Sequence, residues 1–249
     1  MTLMANMTWY EFNERKDKDV VILPVGSVEQ HGPHLPLFTD TIISEGFANL
    51  LGDKVNGIVM PSINYGYKSQ PASGGGPLFP GTIDLNGTTL INLVKDIIEE
   101  LIRDGVRKIA LVNSHFENQA FLLEAIDLVS KNMPANTKII MMSWWDLITQ
   151  NTIDKIFDEV EFPGWALEHA AITETSLILK FKPELVHMDK LIDEKIEEVP
   201  TYQVYPIPKD LVPKSGLLSI GRTSSAAKGE LIVDEALSKM VEIVNKEFM

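Results

Sequence analysis

Apolar residues recur along the first 150 positions in two alternating rhythms. Residues 20–25 (VVILPV) form a continuous apolar run, the pattern of a parallel strand buried on both faces. Residues 58–61, 109–112 and 139–142 are three more short runs of this kind. Between them the spacing changes. Residues 41–51 read as a helix, and Leu90, Leu93, Val94, Ile97, Ile98, Leu101 and Ile102 keep helical spacing, with Gly105 placed to cap them. Further helices are expected over about 119–130 and 228–248. Thr8-Trp9-Tyr10-Glu11 has the spacing of a capping box, which predicts a short helix near the N-terminus. Strand and helix in alternation predict an α/β fold: a single domain over residues 1–249, with a central, mainly parallel sheet flanked by helices on both faces.

In open sheets of this class, ligands bind outside the carboxyl ends of the strands. The loops expected there carry the chain's unusual residues. After the first strand come Glu29, His31, His34 and Asp40; after the third, His115 and Glu117; after the fourth, Trp144, Trp145 and Asp146. Of five histidines, only His187 lies outside these loops and the Glu168-His169 segment. Two carboxylate–imidazole sets at one sheet edge, Glu29-x-His31 and His115-x-Glu117, are hard to read as surface polarity alone. Asp40, close to a helix start, reads either as a cap or as a carboxylate shared between two metals. Imidazole and carboxylate together favour Zn²⁺ or Mn²⁺. Two such ions about 3.5 Å apart lower the pKa of a shared water, so the expected chemistry is metal-assisted hydrolysis.

Other segments keep two readings. Glu168, His169 and Glu174 fit a helix entry whose acids favour the dipole, or an acid–base histidine oriented by a carboxylate. The segment 65–70 (YGYKSQ) leads into Ser73-Gly74-Gly75-Gly76, a mobile loop or a close approach of backbone to ligand, without the Lys-Ser/Thr ending of a phosphate loop. Trp144, Trp145 and Trp165 are core aromatics or the wall of a pocket for a flat ligand.

Composition narrows the classes. A formal net charge of −13 repels a phosphate backbone and excludes nucleic acid as the expected partner. The absence of cysteine rules out disulfides, thiolate metal sites and a cysteine nucleophile. No apolar run approaches about 18 residues, and the N-terminal segment has no signal-peptide pattern, so a cytoplasmic protein with no membrane span is expected.

The motifs resemble those of the creatininase family. Residues 23–32 (LPVGSVEQHG) are similar to its opening motif, with Asp40 at the expected distance. Residues 65–70, 73–76 and 79–82 (FPGT), then 113–118 (NSHFEN), resemble the creatinine-hydrolysing members more than the wider family, many of which have NGHGGN there. The likeness continues through Trp145-Asp146, Gly164-Trp165, Glu168-His169, residues 174–177 (ETSL) and 228–232 (KGELI). It implies that Glu29, Asp40 and His115 hold one divalent ion and that His31, Asp40 and Glu117 hold the other, Zn²⁺ or Mn²⁺, with Asp40 bridging. It implies that His169 is the proton shuttle and counts Glu117 with it among the catalytic residues. Ser73, Phe116, Trp165 and His169 then surround the substrate, and Trp145 belongs to a mobile cover. The implied activity is reversible hydrolysis of the cyclic amide creatinine to creatine, by a homohexamer. Alternatives are another family amidohydrolase, such as a formamidopyrimidine nucleotide deformylase, or a metal-stabilised binding protein. The chain departs from the family pattern at Ala166, where an Asp reaches the substrate, at Phe116 for Tyr, at Ser114 for Gly, and at Ala170-Ala171 for two glycines.

Overall fold

The computed structural model describes residues 2–69, 75–196, 202 and 204–248. Ser73, expected at the substrate, lies outside them. Five parallel strands form one sheet: β1 (Thr2–Leu3), β2 (Val21–Val25), β3 (Ile58–Val59), β4 (Lys108–Asn113) and β5 (Lys138–Ser143), in the order β1-β3-β2-β4-β5. The four strands expected from the apolar runs are all present. The two-residue β1 was not expected, because it is too short to carry a pattern. It pairs with β3, Thr2 against Ile58 and Leu3 against Val59.

Among the described residues, seven α-helices cover the sheet: α1 (Trp9–Arg15), α2 (Thr39–Val55), α3 (Gly87–Arg103), α4 (Asn118–Ser130), α5 (Gln150–Ile156), α6 (Ile172–Phe181) and α7 (Ala226–Phe248). The Thr8 capping box that opens α1 is complete. Alternate strand residues face opposite layers, as the pleat requires. Val21, Leu23, Val25, Ile109 and Leu111 pack with Leu90, Val94 and Ile98 of α3 and Leu122 of α4. Ile22, Ala110 and Val112 pack with Ile43 and Phe47 of α2, Leu177 of α6 and Ala236 and Met240 of α7. Each of these side chains is fully buried. At about 1.5–3 kcal/mol apiece, their burial is the main term holding the layers together.

The sheet order positions the site. β2 lies beside β4, yet the chain leaves β2 towards β3 on one side and leaves β4 towards β5 on the other. The crevice at their carboxyl ends is the topological switch point, where the loops diverge and leave room for a ligand.

Candidate metal centre

Three segments converge on this crevice. Gly26 follows β2, and a Cβ there would meet the backbone nitrogen of Thr41 at 2.5 Å. Only glycine lets the chain pass so close to the first turn of α2. That contact brings the Glu29–His31 loop against Asp40. The loop after β4 is braced by two asparagines. Asn113 Oδ1 accepts the His115 backbone N–H at 3.2 Å, while Asn118 donates to Gly26 O at 3.0 Å and accepts the Tyr67 N–H at 2.8 Å. The third segment is the entry to α6, carrying Glu168, His169 and Glu174.

Glu29, His31, Asp40, His115 and His169 are all buried, with Glu174 at the edge of burial. Among the described residues, three sets of donor atoms lie within 4.8 Å of one another: Glu29–Asp40–His115, His31–Asp40–Glu174 and Glu29–His31–His169. His115 Nδ1 is 3.1 Å from Asp40 Oδ2 and 3.4 Å from Glu29 Oε1. His31 Nε2 is 3.1 Å from Asp40 Oδ1 and 3.5 Å from Glu174 Oε2. Yet Glu29 Oε2, His31 Nε2 and Asp40 Oδ2 have no hydrogen-bond partner, so the close pairs face each other without hydrogen-bond alignment. Tetrahedral donors at the Zn–N and Zn–O distances sit about 3.3 Å apart, so the spacing fits divalent cations.

The opposite ring nitrogens strengthen this reading. His31 Nδ1 lies 3.1 Å from Glu29 O, and His115 Nε2 lies 2.9 Å from Tyr67 O. A carbonyl can only accept, so each of those nitrogens carries a proton, and in the neutral rings His31 Nε2 and His115 Nδ1 are then lone pairs aimed at Asp40. Metal-ligating histidines are oriented in this way.

The electrostatics ask for positive charge. Burial disfavours charge on His31, but Asp40 and Glu174 outweigh it and push its pKa well above the ordinary value. Burial acts likewise on His115, where Glu29 and Asp40 prevail in the same direction. Burial raises Glu29 and Asp40, yet the neighbouring imidazoles hold both below the usual carboxylate range. Asp40 also lies in the first turn of α2, where the helix dipole favours a carboxylate; it makes no capping bond, so the capping reading of this residue falls away. Burial pushes Glu168 up to about 8, with hydrogen bonds from Thr173 opposing. His34, also in this loop, is depressed to about 4 by burial and then by His31, and its Nε2 pairs with Thr175 Oγ1 at 2.9 Å.

Two expected residues stand differently from the rest. Glu117 precedes α4, with Oε2 at 3.6 Å from His115 Nε2, the nitrogen turned away from Asp40. Trp145 is buried in a 3-10 turn (Trp144–Leu147), packed edge-on against Trp144, which in turn meets Trp165 edge-on at 5.5 Å. Phe116 is the exposed end of this aromatic row, with its ring 5.7 Å from that of Trp145. Sequence reasoning missed the proximity of Glu174 to His31, and also the role of Gln30. The Gln30 side chain accepts from Gly32 N, donates to Gly216 O at 2.9 Å, and places its Nε2 at 2.9 Å from His169 Nε2. Gln30 lay inside the recognised motif, but no spacing signal ties residue 30 to residues 169 and 216.

The family profile described as "Creatininase: Creatinine amidohydrolase" matches residues 5–244. The chain belongs to the creatininase family. It is 36% identical over 251 residues to a creatinine amidohydrolase of Pseudomonas putida, covering 98% of this chain and 96% of the relative. Among solved structures it is similar to a mutant creatininase complexed with creatine, at TM-score 0.94 and 37% identity over 99% of this chain and 98% of the other. It is also similar to a creatininase described as a Mn form, at TM-score 0.95 and 37% identity with the same coverage. The chain is therefore a metal-dependent amidohydrolase of this family, with buried His/Glu/Asp clusters consistent with a binuclear site.

Proposed function

We propose that this chain hydrolyses a cyclic amide and that its substrate is creatinine, opened reversibly to creatine. Glu29, Asp40 and His115 would hold one divalent ion, Zn²⁺ or Mn²⁺, and His31, Asp40 and Glu117 would hold the second. When bound, two such ions lower the pKa of a shared water and polarise a carbonyl. The observation that carries the reading is Asp40: its two oxygens face the lone pairs of two different histidines, each oriented from behind by a backbone carbonyl.

The other residues bind and move protons. His169 Nδ1 lies 3.6 Å from Glu29 Oε1, on the inner side of the cluster, and is within reach of a reacting group there. Its Nε2 lies 2.9 Å from both Gln30 O and Gln30 Nε2, so acceptor and donor are both at hand as the ring changes protonation. His169 takes up a proton during attack and delivers it to the departing ring nitrogen. Phe116, Trp145 and Trp165 supply aromatic faces against which a flat ring packs, excluding water; Ser73 is proposed to contact the substrate. The active assembly is a homohexamer, a proposal supported by exposed aromatics such as Tyr202 and Tyr205 and tested by light scattering.

The test is a hydrolysis assay on metal-loaded protein with creatinine, other cyclic amides and formamides. Creatinine turnover that stops on chelation and returns with Zn²⁺ or Mn²⁺ is expected. Turnover of another amide alone would redirect the substrate but keep the chemistry. One observation favours that second outcome: exposed Ala166 carries no carboxylate where the family pattern has an Asp.

A further inference from the structure

The chain enters α6 through a conformation that its own residue disfavours. Ala170 has a φ of 54° and is fully buried. In this left-handed region the Cβ crowds the following carbonyl, and a non-glycine residue stays there only when its surroundings fix it. One carboxylate bonds directly to this residue. Glu174, the third residue of α6, folds back so that Oε2 accepts the Ala170 N–H at 2.7 Å. Glu168 reaches the other way and accepts the Thr173 N–H at 3.1 Å. The two carboxylates cross over the turn from opposite ends, and His169 lies between Glu168 and Ala170.

We propose that Glu174 is a positioning residue for His169. Its carboxylate locks Ala170 in the left-handed conformation and thereby aims the His169 ring at Glu29 and Gln30. The inference rests on the proton-transfer role proposed for His169. The same Oε2 lies 3.5 Å from His31 Nε2, so Glu174 faces the cluster while it holds the Ala170 N–H. A glycine at residue 170 would adopt the same φ freely. With alanine there, this chain depends on the Glu174 bond.

The test compares Glu174→Ala, Glu174→Gln and the double variant Glu174→Ala/Ala170→Gly, each as the metal-loaded, full-length protein. Glu174→Ala is expected to lower kcat about 10–100-fold, with KM changed less than about 3-fold and both ions retained, as misaimed catalytic groups do. Glu174→Gln keeps an acceptor oxygen and should restore most of that loss. Ala170→Gly should recover part of it in the Glu174→Ala background. Independently of turnover, the ring ¹⁵N resonances of His169 should shift in Glu174→Ala and return in Glu174→Gln. Loss of an ion in Glu174→Gln, or a kcat as low as that of Glu174→Ala, would overturn the proposal in favour of a charge acting on the metals. Unmoved His169 resonances in all three variants would also overturn it. If the wild type hydrolyses no amide, the substrate reading fails on its own, and the resonances still decide the positioning. Should Glu174→Ala fail to fold, the Gln variant alone separates acceptor from charge.

Discussion

Asp40 turns its Oδ2 towards His115 Nδ1 at 3.1 Å without the alignment of a hydrogen bond. Buried polar atoms so close and so misaligned are unfavourable alone and favourable around a cation. Because the other oxygen of Asp40 faces His31 in the same way, its removal should empty both sites. Asp40→Ala is expected to retain less than one ion per chain by elemental analysis and to have no measurable activity. Two tightly held ions in that variant would disprove the bridge.

His169→Ala separates catalysis from structure. The ring is outside the proposed ligand sets and its loss should leave the metal content at two ions per chain. General acid–base groups contribute about 10²–10⁴-fold, so kcat should fall by that factor with a smaller change in KM. A loss of only a few-fold, matched by lower thermal stability, would mark His169 as a helix-entry residue and nothing more.

Ala166 lies in the 3-10 turn Trp165–Leu167 and is exposed. A carboxylate placed there has room to reach a guanidinium-like group, and a charged hydrogen bond is worth roughly 1.5–3 kcal/mol. Ala166→Asp should lower KM for creatinine about 10-fold. Unchanged or poorer creatinine kinetics would mean that the pocket serves a different ring.

Glu168 predicts a pH effect on stability. Its carboxyl is pushed up to about 8 by burial, from an ordinary value of 4.5. Below the ordinary value, the folded and unfolded chains both carry the proton. As pH rises past it, the unfolded chain ionises first, and stability drains away until the folded group ionises as well. Glu168→Gln has no proton to lose, so its Tm should gain on the wild type between about pH 5 and 8. Parallel Tm–pH profiles would show that Glu168 ionises normally.

Strands β2 to β5 were legible because each is a short apolar run between polar loops, and β1 was not, because two residues hold no period. The donors at residues 29, 31, 40 and 115 were legible because strand ends in this architecture share one edge. Glu174 was harder. Its sequence signal was that of a helix entry, which it is, with the carboxylate in the first turn of α6. Its nearness to His31 depends on how α6 packs against the loop that follows β2, a long-range contact that no local pattern encodes. Trp145 kept two readings in the sequence, core aromatic or pocket wall; in the structure it is buried, with Phe116 as the exposed end of the same aromatic row.

The pairing of β2 with β4 joins segments about 90 residues apart. Contacts of that separation form late, after the loop-closure entropy has been met. A chain still emerging from synthesis holds Glu29, His31 and Asp40 long before His115 exists, and those three alone cannot close around two ions. On the proposed ligand sets, metal capture should follow the pairing of β2 with β4, and uptake kinetics would report completion of the sheet instead of its nucleation.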